Sequence, residues 1–218
     1  MILFFAAVAA HAQNLEAVLN AMDKAAADFK TAQTDFVWDQ YQKVVDEHDI
    51  QKGVMYFRRQ GADVQMAADI TVPDKKYVLF SNGLISVYVP KAGQVTEYNS
   101  GKNKADFETF LVLGFGGRGH DLAKSFDVKY GGMEQVQGIN AAKLELTPKS
   151  QKVSNMFQTI TLWIDLARGV SVQQLFNEKS GDYRIAKYNN IKLNEKLSND
   201  VFKLKTSGKV TYVRPNAQ

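Results

Sequence analysis

The residue types that could support catalysis do not form a catalytic pattern in this sequence. His48 and His120 lie far apart, and neither has a second histidine or a carboxylate at the spacing of a metal ligand. There is no Gly-x-Ser-x-Gly elbow, and none of the 23 acidic residues forms a recognisable acid–base pair. We therefore expect no enzymatic activity, no metal and no cofactor. A secreted hydrolase is kept as a minor alternative.

One glycine motif could bind a nucleotide. Residues Gly114–Gly119 match Gly-x-Gly-x-x-Gly, but that fingerprint works where a strand precedes it and a helix follows. Here a helical pattern, Asp106–Leu113, precedes the glycines. We interpret the segment as a flexible hinge after a helix rather than a phosphate-binding loop.

Composition sets the class of protein. The chain has 218 residues, of which 45% are hydrophobic and 23% charged, with a net charge of +4 and no cysteine. These values are typical of a globular domain. The absence of cysteine excludes disulfides and a thiol nucleophile, and the absence of a basic tract argues against a nucleic-acid partner.

The N-terminal residues predict export. Residues 1–10 are almost wholly apolar, and Ala10-His11-Ala12 places small residues where a signal peptidase reads them. Ten apolar residues are too few to cross a bilayer, which takes about 20. We therefore predict residues 1–12 as the remnant of a signal peptide, with Gln13 starting one mature domain over residues 13–218. A buried N-terminal helix is the alternative.

The rest of the sequence reads as strands with few helices. Apolar residues from Leu15 to Phe29 recur with helical spacing, and the pattern then changes to alternation. Turn residues recur every eight to twelve positions, as in an antiparallel sheet. The predicted strands include residues 53–59, 77–80, 84–89, 95–98, 142–147, 157–165, 170–177, 182–190 and 201–204. Between residues 77–80 and 84–89, Ser81-Asn82-Gly83 supplies the Asn-Gly turn typical of a tight hairpin.

The apolar side chains of these strands allow two interpretations. A sheet has one face for its own core, so helices either cover that face closely or leave a hollow. Patterning by itself favours a plain core, since buried aromatic residues usually pack against each other. The alternative is a hollow for an apolar ligand, lined by Phe36, Trp38, Met55, Phe57 and Phe80.

The order of these elements resembles the LolA/LolB family of bacterial lipoprotein carriers. Gly53–Arg59 is similar to a Gly-x-Leu-Trp-x-Lys-Arg-Pro strand of that family. Val78–Gly83 with Val87–Pro90 resembles its Ser-Asp-Gly hairpin ending in Tyr-x-Pro. Phe110–Leu113 falls at its short lid helix, and Leu144–Lys149 resembles its Leu-x-Pro-Lys strand end.

The resemblance implies a mainly β (α+β) fold: an unclosed, strongly curved antiparallel β half-barrel with an α-helical lid over an apolar cavity. It also implies a function, which is to carry acylated lipoproteins through the periplasm from an inner-membrane exporter to an outer-membrane receptor. Receptors of the family carry a lipidated N-terminal cysteine. A chain without cysteine therefore resembles the soluble carrier, expected to be a monomer without stable membrane insertion.

The resemblance further implies the residues of the site. It adds Leu144 and Leu146 to the five cavity side chains named above, and it places Phe107, Phe110 and Leu111 in the lid helix. It implies that Arg59 points into the cavity and forms a latch with the lid, and Arg58 is the alternative for that role. The cargo remains open between lipoprotein acyl chains and a free lipid such as a glycolipid or terpenoid, since acyl chains offer no directional groups.

Overall fold

The computed structural model describes residues 4–61, 63–99 and 113–215, with residues 4–12 described as backbone only. It begins with helix α1, Phe4–Asp28. One side of this helix is buried through Val18, Leu19, Met22 and Ala26, which follow helical spacing. The helix predicted from Leu15 onward is confirmed.

Twelve strands follow α1 among the described residues. They form one sheet in the order β12-β6-β5-β4-β3-β2-β1-β11-β10-β9-β8-β7. Strand β12 pairs in parallel with β6, and the other recorded pairings are antiparallel. The strands are β1 Thr31–Gln42, β2 Glu47–Gln60, β3 Asp63–Val72, β4 Lys76–Ser81, β5 Leu84–Val89, β6 Gln94–Asn99, β7 Phe126–Val136, β8 Ile139–Pro148, β9 Thr159–Asp165, β10 Val170–Asn177, β11 Tyr183–Leu193 and β12 Thr211–Val213.

Short helices lie between some of these strands. Among the described residues they are α2 Leu122–Ser125, α3 Gln151–Met156 and two 3-10 helices, Pro90–Ala92 and Asn199–Phe202. The predicted fold class, a mainly β chain built on one unclosed antiparallel sheet, is confirmed. The predicted lid helix with Phe107, Phe110 and Leu111 lies outside the described residues, apart from Leu113, which is buried in a turn.

The hairpin between β4 and β5 forms as its sequence predicts. Ser81 pairs with Leu84 across the turn. Asn82 and Gly83 both take positive φ, 53° and 76°. Two successive residues of positive φ define the tight turn for which Asn-Gly is the preferred sequence.

Other local expectations fail or are incomplete. The strand expected at residues 201–204 is wrong, because Asn199–Phe202 forms a 3-10 helix capped by the Ser198 side chain, which accepts from the Asp200 amide. Serine at a helix N-cap favours this turn over an extended strand. Strands β3, β7 and β12 were not expected from the sequence.

The chain divides into two compact units. Unit 1 comprises residues 1–28, 39–49 and 114–187, and unit 2 comprises residues 29–38, 50–113 and 188–218. In unit 1, α1 lies close to two turns, since a Cβ added at Gly119 would clash with the Leu19 carbonyl and one added at Gly169 would clash with the Ala21 carbonyl. In unit 2, the segment around Asn199–Phe202 packs on β2 and β3.

Candidate functional site

Unit 2 contains a continuous apolar face on strands β2, β3 and β4. Met55 on β2 lies opposite Ala68 on β3, and Phe57 lies opposite Met66. Met66 in turn lies opposite Phe80 on β4. Cross-strand partners point to the same side of a sheet, so these five residues share one side, and all five are buried. We call them the apolar face.

Strand β1 contributes the other two predicted cavity residues of unit 2. Phe36 and Trp38 are two positions apart, so they lie on the same side of their strand. Phe36 is 3% exposed, whereas Trp38 is only partly buried. Both residues belong to unit 2, as do Met55, Phe57 and Phe80. Their contact with a ligand stays a prediction.

Leu144 and Leu146 belong to unit 1. On β8 they lie opposite Leu162 and Ile160 of β9, and all four side chains are fully buried. The structure therefore divides the seven predicted cavity residues between the two units, five in unit 2 and two in unit 1. The predicted lining role of Leu144 and Leu146 stays untested.

Arg59 lies at the end of the row formed by Met55 and Phe57 on β2. Residues two apart on a strand share a side, so its side chain starts from the side of the apolar face. Its backbone N–H donates to the carbonyl of Lys30 at 2.9 Å. The guanidinium carbon lies 5.5 Å from the centre of the Phe29 ring, within cation–π range. A cation therefore stands beside an otherwise apolar surface.

Arg58 points to the opposite side of β2 and is held by several partners. Its Nε and one terminal nitrogen donate to the Gln65 side-chain oxygen at 3.0 and 2.6 Å, and the other terminal nitrogen donates to Asn199. The guanidinium carbon lies 4.2 Å from the centre of the Phe202 ring. Arg58 thus attaches the 3-10 helix Asn199–Phe202 to the sheet.

The start of the glycine segment forms a hydrogen bond within unit 1. The carbonyl oxygen of Gly114 accepts the backbone N–H of Ser171 at 2.8 Å. A Cβ added at Gly114 would clash with the Ser171 Cβ, so glycine is required for this close approach. At Gly114 the segment is therefore closely packed on β10, which differs from the flexible hinge expected from the sequence.

His48 and His120 have carboxylate neighbours that sequence spacing did not reveal. His48 Nδ1 lies 2.7 Å from Asp39 Oδ1. His120 Nδ1 lies 2.6 Å from Asp23 Oδ2, and its Nε2 lies 3.0 Å from Glu16 Oε1. Both histidine side chains are partly exposed, and their carboxylate partners were not found from the sequence. Glu16 and Asp23 are 97 or more residues away from His120, and that separation carries no local signal.

These contacts set the protonation of the His120 cluster. Hydrogen bonds to the Asp23 and then the Glu16 side chains raise the pKa of His120. Burial by itself would raise the pKa of Asp23, but hydrogen bonds from the His120 side chain and backbone lower it on balance. Both shifts favour an imidazolium paired with carboxylates.

Two further properties bear on function. Within residues 4–61, 63–99 and 113–215, no group of three or more His, Cys, Asp or Glu side chains is arranged to hold a metal ion. The helices of the same described ranges include none with the length and apolar character needed to span a membrane.

The described strands thus form one unclosed sheet that carries a continuous apolar face in unit 2. The sequence profile described as "Outer membrane lipoprotein carrier protein LolA" matches residues 27–205. The chain therefore belongs to the LolA family. No curated protein sequence matches it.

Solved structures support the same fold at low sequence identity. A MucB structure matches with a TM-score of 0.58 and 14% identity, covering 91% of this chain and 65% of MucB. An uncharacterized conserved protein from Thermus thermophilus matches with a TM-score of 0.58 and 12% identity over 91% of this chain and 97% of its own. The structure of the Pseudomonas aeruginosa MucA/MucB complex matches with a TM-score of 0.54 and 16% identity, covering 92% of this chain and 64% of the matched chain. This chain thus spans somewhat less than two thirds of MucB.

Family membership supports a coarse assignment. The family is one of lipid- or lipoprotein-binding carriers, which are generally non-enzymatic. Members of the family work in the periplasm or otherwise outside the cytoplasm.

Proposed function

We propose that this protein carries acylated lipoproteins through the periplasm, from an inner-membrane exporter to an outer-membrane receptor. The observation that supports the proposal is the apolar face of unit 2 with Arg59 beside it. Hiding one methylene group from water is worth about 0.8 kcal/mol, so an acyl chain crosses water only when something shelters it. In this proposal the apolar face supplies that shelter when the cargo binds, and the transfer needs no covalent chemistry.

Arg59 is proposed as the latch of the carrier. A charge beside an apolar surface is stable only when hydrogen-bond acceptors satisfy it, and charge-assisted bonds contribute about 1.5–3 kcal/mol each. Arriving acyl chains would replace those bonds with apolar contacts, so loading and opening would be coupled. A latch of this strength keeps binding modest and lets a tighter receptor take the cargo. Arg58 suits this role poorly because Gln65, Asn199 and Phe202 hold it on the other side.

The test of the site uses two adjacent residues on β2. Phe57→Lys places a cation on the apolar face, whereas Tyr56→Lys places one on the opposite side, where Asp69 and Asp35 lie near Tyr56. We expect Phe57→Lys to abolish transfer of a triacylated lipoprotein to receptor-containing membranes and Tyr56→Lys to retain it. Equal transfer by both folded variants would contradict the proposal.

A measurement on the unmodified protein covers the case in which Phe57→Lys does not fold. An acyl chain that carries a photoreactive diazirine is bound to the protein and cross-linked, and the labelled peptides are identified by mass spectrometry. We expect the label on the β2 and β3 peptides that contain Met55, Phe57 and Met66. Labelling confined to peptides without apolar-face residues would overturn the proposed site.

The identity of the cargo can be determined on protein purified from its native periplasm. Native mass spectrometry should show a co-purifying lipopeptide if lipoproteins are the cargo. A free glycolipid or terpenoid in its place would indicate a free-lipid carrier of the same fold.

Export is proposed from the Ala-His-Ala sequence before Gln13. The mass of the protein isolated from its own host is expected to correspond to a chain that starts at or near Gln13. A cytoplasmic product that retains Met1 would contradict export.

A further inference from the structure

The loop of residues 114–121, here called the glycine loop, is held at both of its ends within unit 1. At its start, the Gly114 carbonyl accepts the Ser171 N–H at 2.8 Å, and Phe115 beside it is 1% exposed. Near its end, Gly119 lies so close to α1 that an added Cβ would clash with the Leu19 carbonyl. His120 is the next residue after this contact.

His120 connects the glycine loop to two carboxylates of α1. Its Nδ1 lies 2.6 Å from Asp23 Oδ2 and its Nε2 lies 3.0 Å from Glu16 Oε1. Its backbone N–H donates to Asp23 Oδ1 at 3.2 Å. Glu16 and Asp23 are seven residues apart, which is two helical turns, so they lie on the same side of α1. The imidazole lies between them.

This geometry requires a particular protonation state. An ionised carboxylate only accepts hydrogen bonds, and a neutral imidazole has one N–H and one lone pair. Neutral His120 could therefore donate to one carboxylate while its lone pair faced the other. The imidazolium donates from both nitrogens and satisfies both contacts at once.

We propose that His120 is a pH-sensitive clamp, which holds the glycine loop on α1 when its imidazole is protonated and loosens that end of the loop when the imidazole is neutral.

The other charged groups around the clamp do not reverse this behaviour. Arg118, on the same loop, has a terminal nitrogen 3.7 Å from Asp23 Oδ2. With Arg118 included, two carboxylates, Glu16 and Asp23, still face two cations, Arg118 and protonated His120. Asp121 pairs with Lys124 of α2 at 2.7 Å. In the turn that packs on α1 near Ala21, Arg168 pairs with Asp165 at 2.6 Å. On α1 itself, the Asn20 side chain donates to Glu16 at 3.3 Å.

The sign of the pH dependence follows from the two shifted groups. The pKa of His120 is raised, so the clamp is complete below about pH 6.5, the ordinary histidine value, and is lost as the pH rises through the raised pKa. The pKa of Asp23 is lowered, so its contribution is present above its ordinary value and is lost as the pH falls through the lowered pKa. Mildly acidic conditions therefore hold the loop most firmly.

The clamp has a consequence for cargo that depends on the proposed carrier function. On that function, we expect cargo to be retained longer when the loop is fastened at mildly acidic pH than when it is loosened at alkaline pH. The retention of cargo would then depend on the pH of the compartment in which the carrier works.

The test begins with the titration of His48 and His120 by NMR in the full chain. His48, which faces one carboxylate, Asp39, is the matched internal control. We expect the pKa of His120 above about 6.5 and a decrease towards that value in Glu16→Gln and in Asp23→Asn. A pKa of His120 at or below about 6.5, or one insensitive to both substitutions, would overturn the clamp.

Hydrogen exchange then measures whether the loop responds. Protection factors, which remove the intrinsic pH dependence of exchange, are compared for residues 114–121 at about pH 6 and about pH 8.5, on either side of the expected titration. We expect protection of His120 and its neighbours to fall several-fold at the higher pH in the unmodified protein. His120→Gln should show low protection at both pH values, and a pH-independent loop in the unmodified protein would overturn the proposal.

Cargo retention separates the clamp from the proposed function. The off-rate of a fluorescent triacylated peptide is measured at the same two pH values. An off-rate that increases with loop opening supports both the clamp and the carrier. A loop that opens while the off-rate stays constant upholds the clamp and counts against the carrier function through this loop.

Discussion

The two sides of strand β2 in unit 2 use adjacent arginines in different ways. On one side, Met55, Phe57 and Arg59 alternate in a row, and the arginine is next to buried apolar side chains. On the other side, Arg58 donates to Gln65, which donates in turn to Ser81 at 2.8 Å. The first side is apolar with one cation, whereas the second is a connected polar network.

The difference shows why the same residue type can have two roles. A guanidinium has five donors in a fixed geometry, and its role depends on the acceptors within reach. Arg58 finds its acceptors on a neighbouring strand and in the segment around Asn199, so it contributes to stability. Arg59 lies beside the Phe29 ring at the edge of the apolar face, where a ligand would change its surroundings.

The largest expected change in the free energy of unfolding is for a substitution on the apolar side of the sheet. Phe80 is fully buried and lies opposite Met66 and Ile85. Phe80→Ala should lower the free energy of unfolding by about 3–5 kcal/mol if this face is closely packed, because the removed ring leaves a cavity. Urea denaturation measures the change. A loss well under this range would show that the ring borders a hollow and would sharpen the case for a ligand site.

The second largest change in the free energy of unfolding is expected on the polar side of β2. Arg58→Leu removes the hydrogen bonds to Gln65 and Asn199 and the contact with the Phe202 ring. We expect a loss of about 2–3 kcal/mol in the free energy of unfolding, since charge-assisted bonds are partly compensated by water in the unfolded chain. Cargo transfer should stay normal in the folded fraction. A transfer defect without a loss of stability would reverse the roles of the two arginines.

A smaller effect is expected at the end of the polar network. Ser81→Ala removes the hydroxyl that accepts from the Gln65 amide. We expect a decrease of about 1 kcal/mol in the free energy of unfolding, which is the net value of one neutral hydrogen bond. Since Ser81 is adjacent to Phe80, this variant is the matched control for Phe80→Ala.

The smallest effect on stability is expected for Arg59→Leu. The side chain is partly exposed, and leucine exchanges its hydrogen bonds for apolar contacts with the neighbouring face, so the net change in the free energy of unfolding should be less than about 1 kcal/mol. Its consequence should appear in function instead, as a protein that loads cargo and releases it poorly to the receptor. Normal release by Arg59→Leu, together with a defect in Arg58→Leu, would assign the latch to Arg58.

Much of the fold could be predicted because its signals are local. Helical spacing after Leu15 predicted the later part of α1, and Ser81-Asn82-Gly83 predicted the β4–β5 turn. The strand predicted at residues 201–204 is wrong, because a short alternating run carries no information about the Ser198 cap that starts a 3-10 helix. Strand β7 was missed because Gly131 and Gly132 interrupt its pattern at a register shift.

The candidate site could be predicted only in part. The row Met55, Phe57 and Arg59 follows from the two-residue period of a strand, so the sequence determined that these side chains share a side. The match between Phe57 and Met66, and between Met66 and Phe80, depends on strand register and so on the folded sheet.

The sequence by itself determined the class of strands, the turn chemistry, the absence of cysteine chemistry and the resemblance to the LolA family. Tertiary structure decided which arginine is held in a polar network, and it brought Glu16 and Asp23 to His120. The physical reason is range. Backbone propensity and periodicity act over a few residues, whereas a hydrogen bond between side chains about a hundred positions apart exists only after the chain has folded.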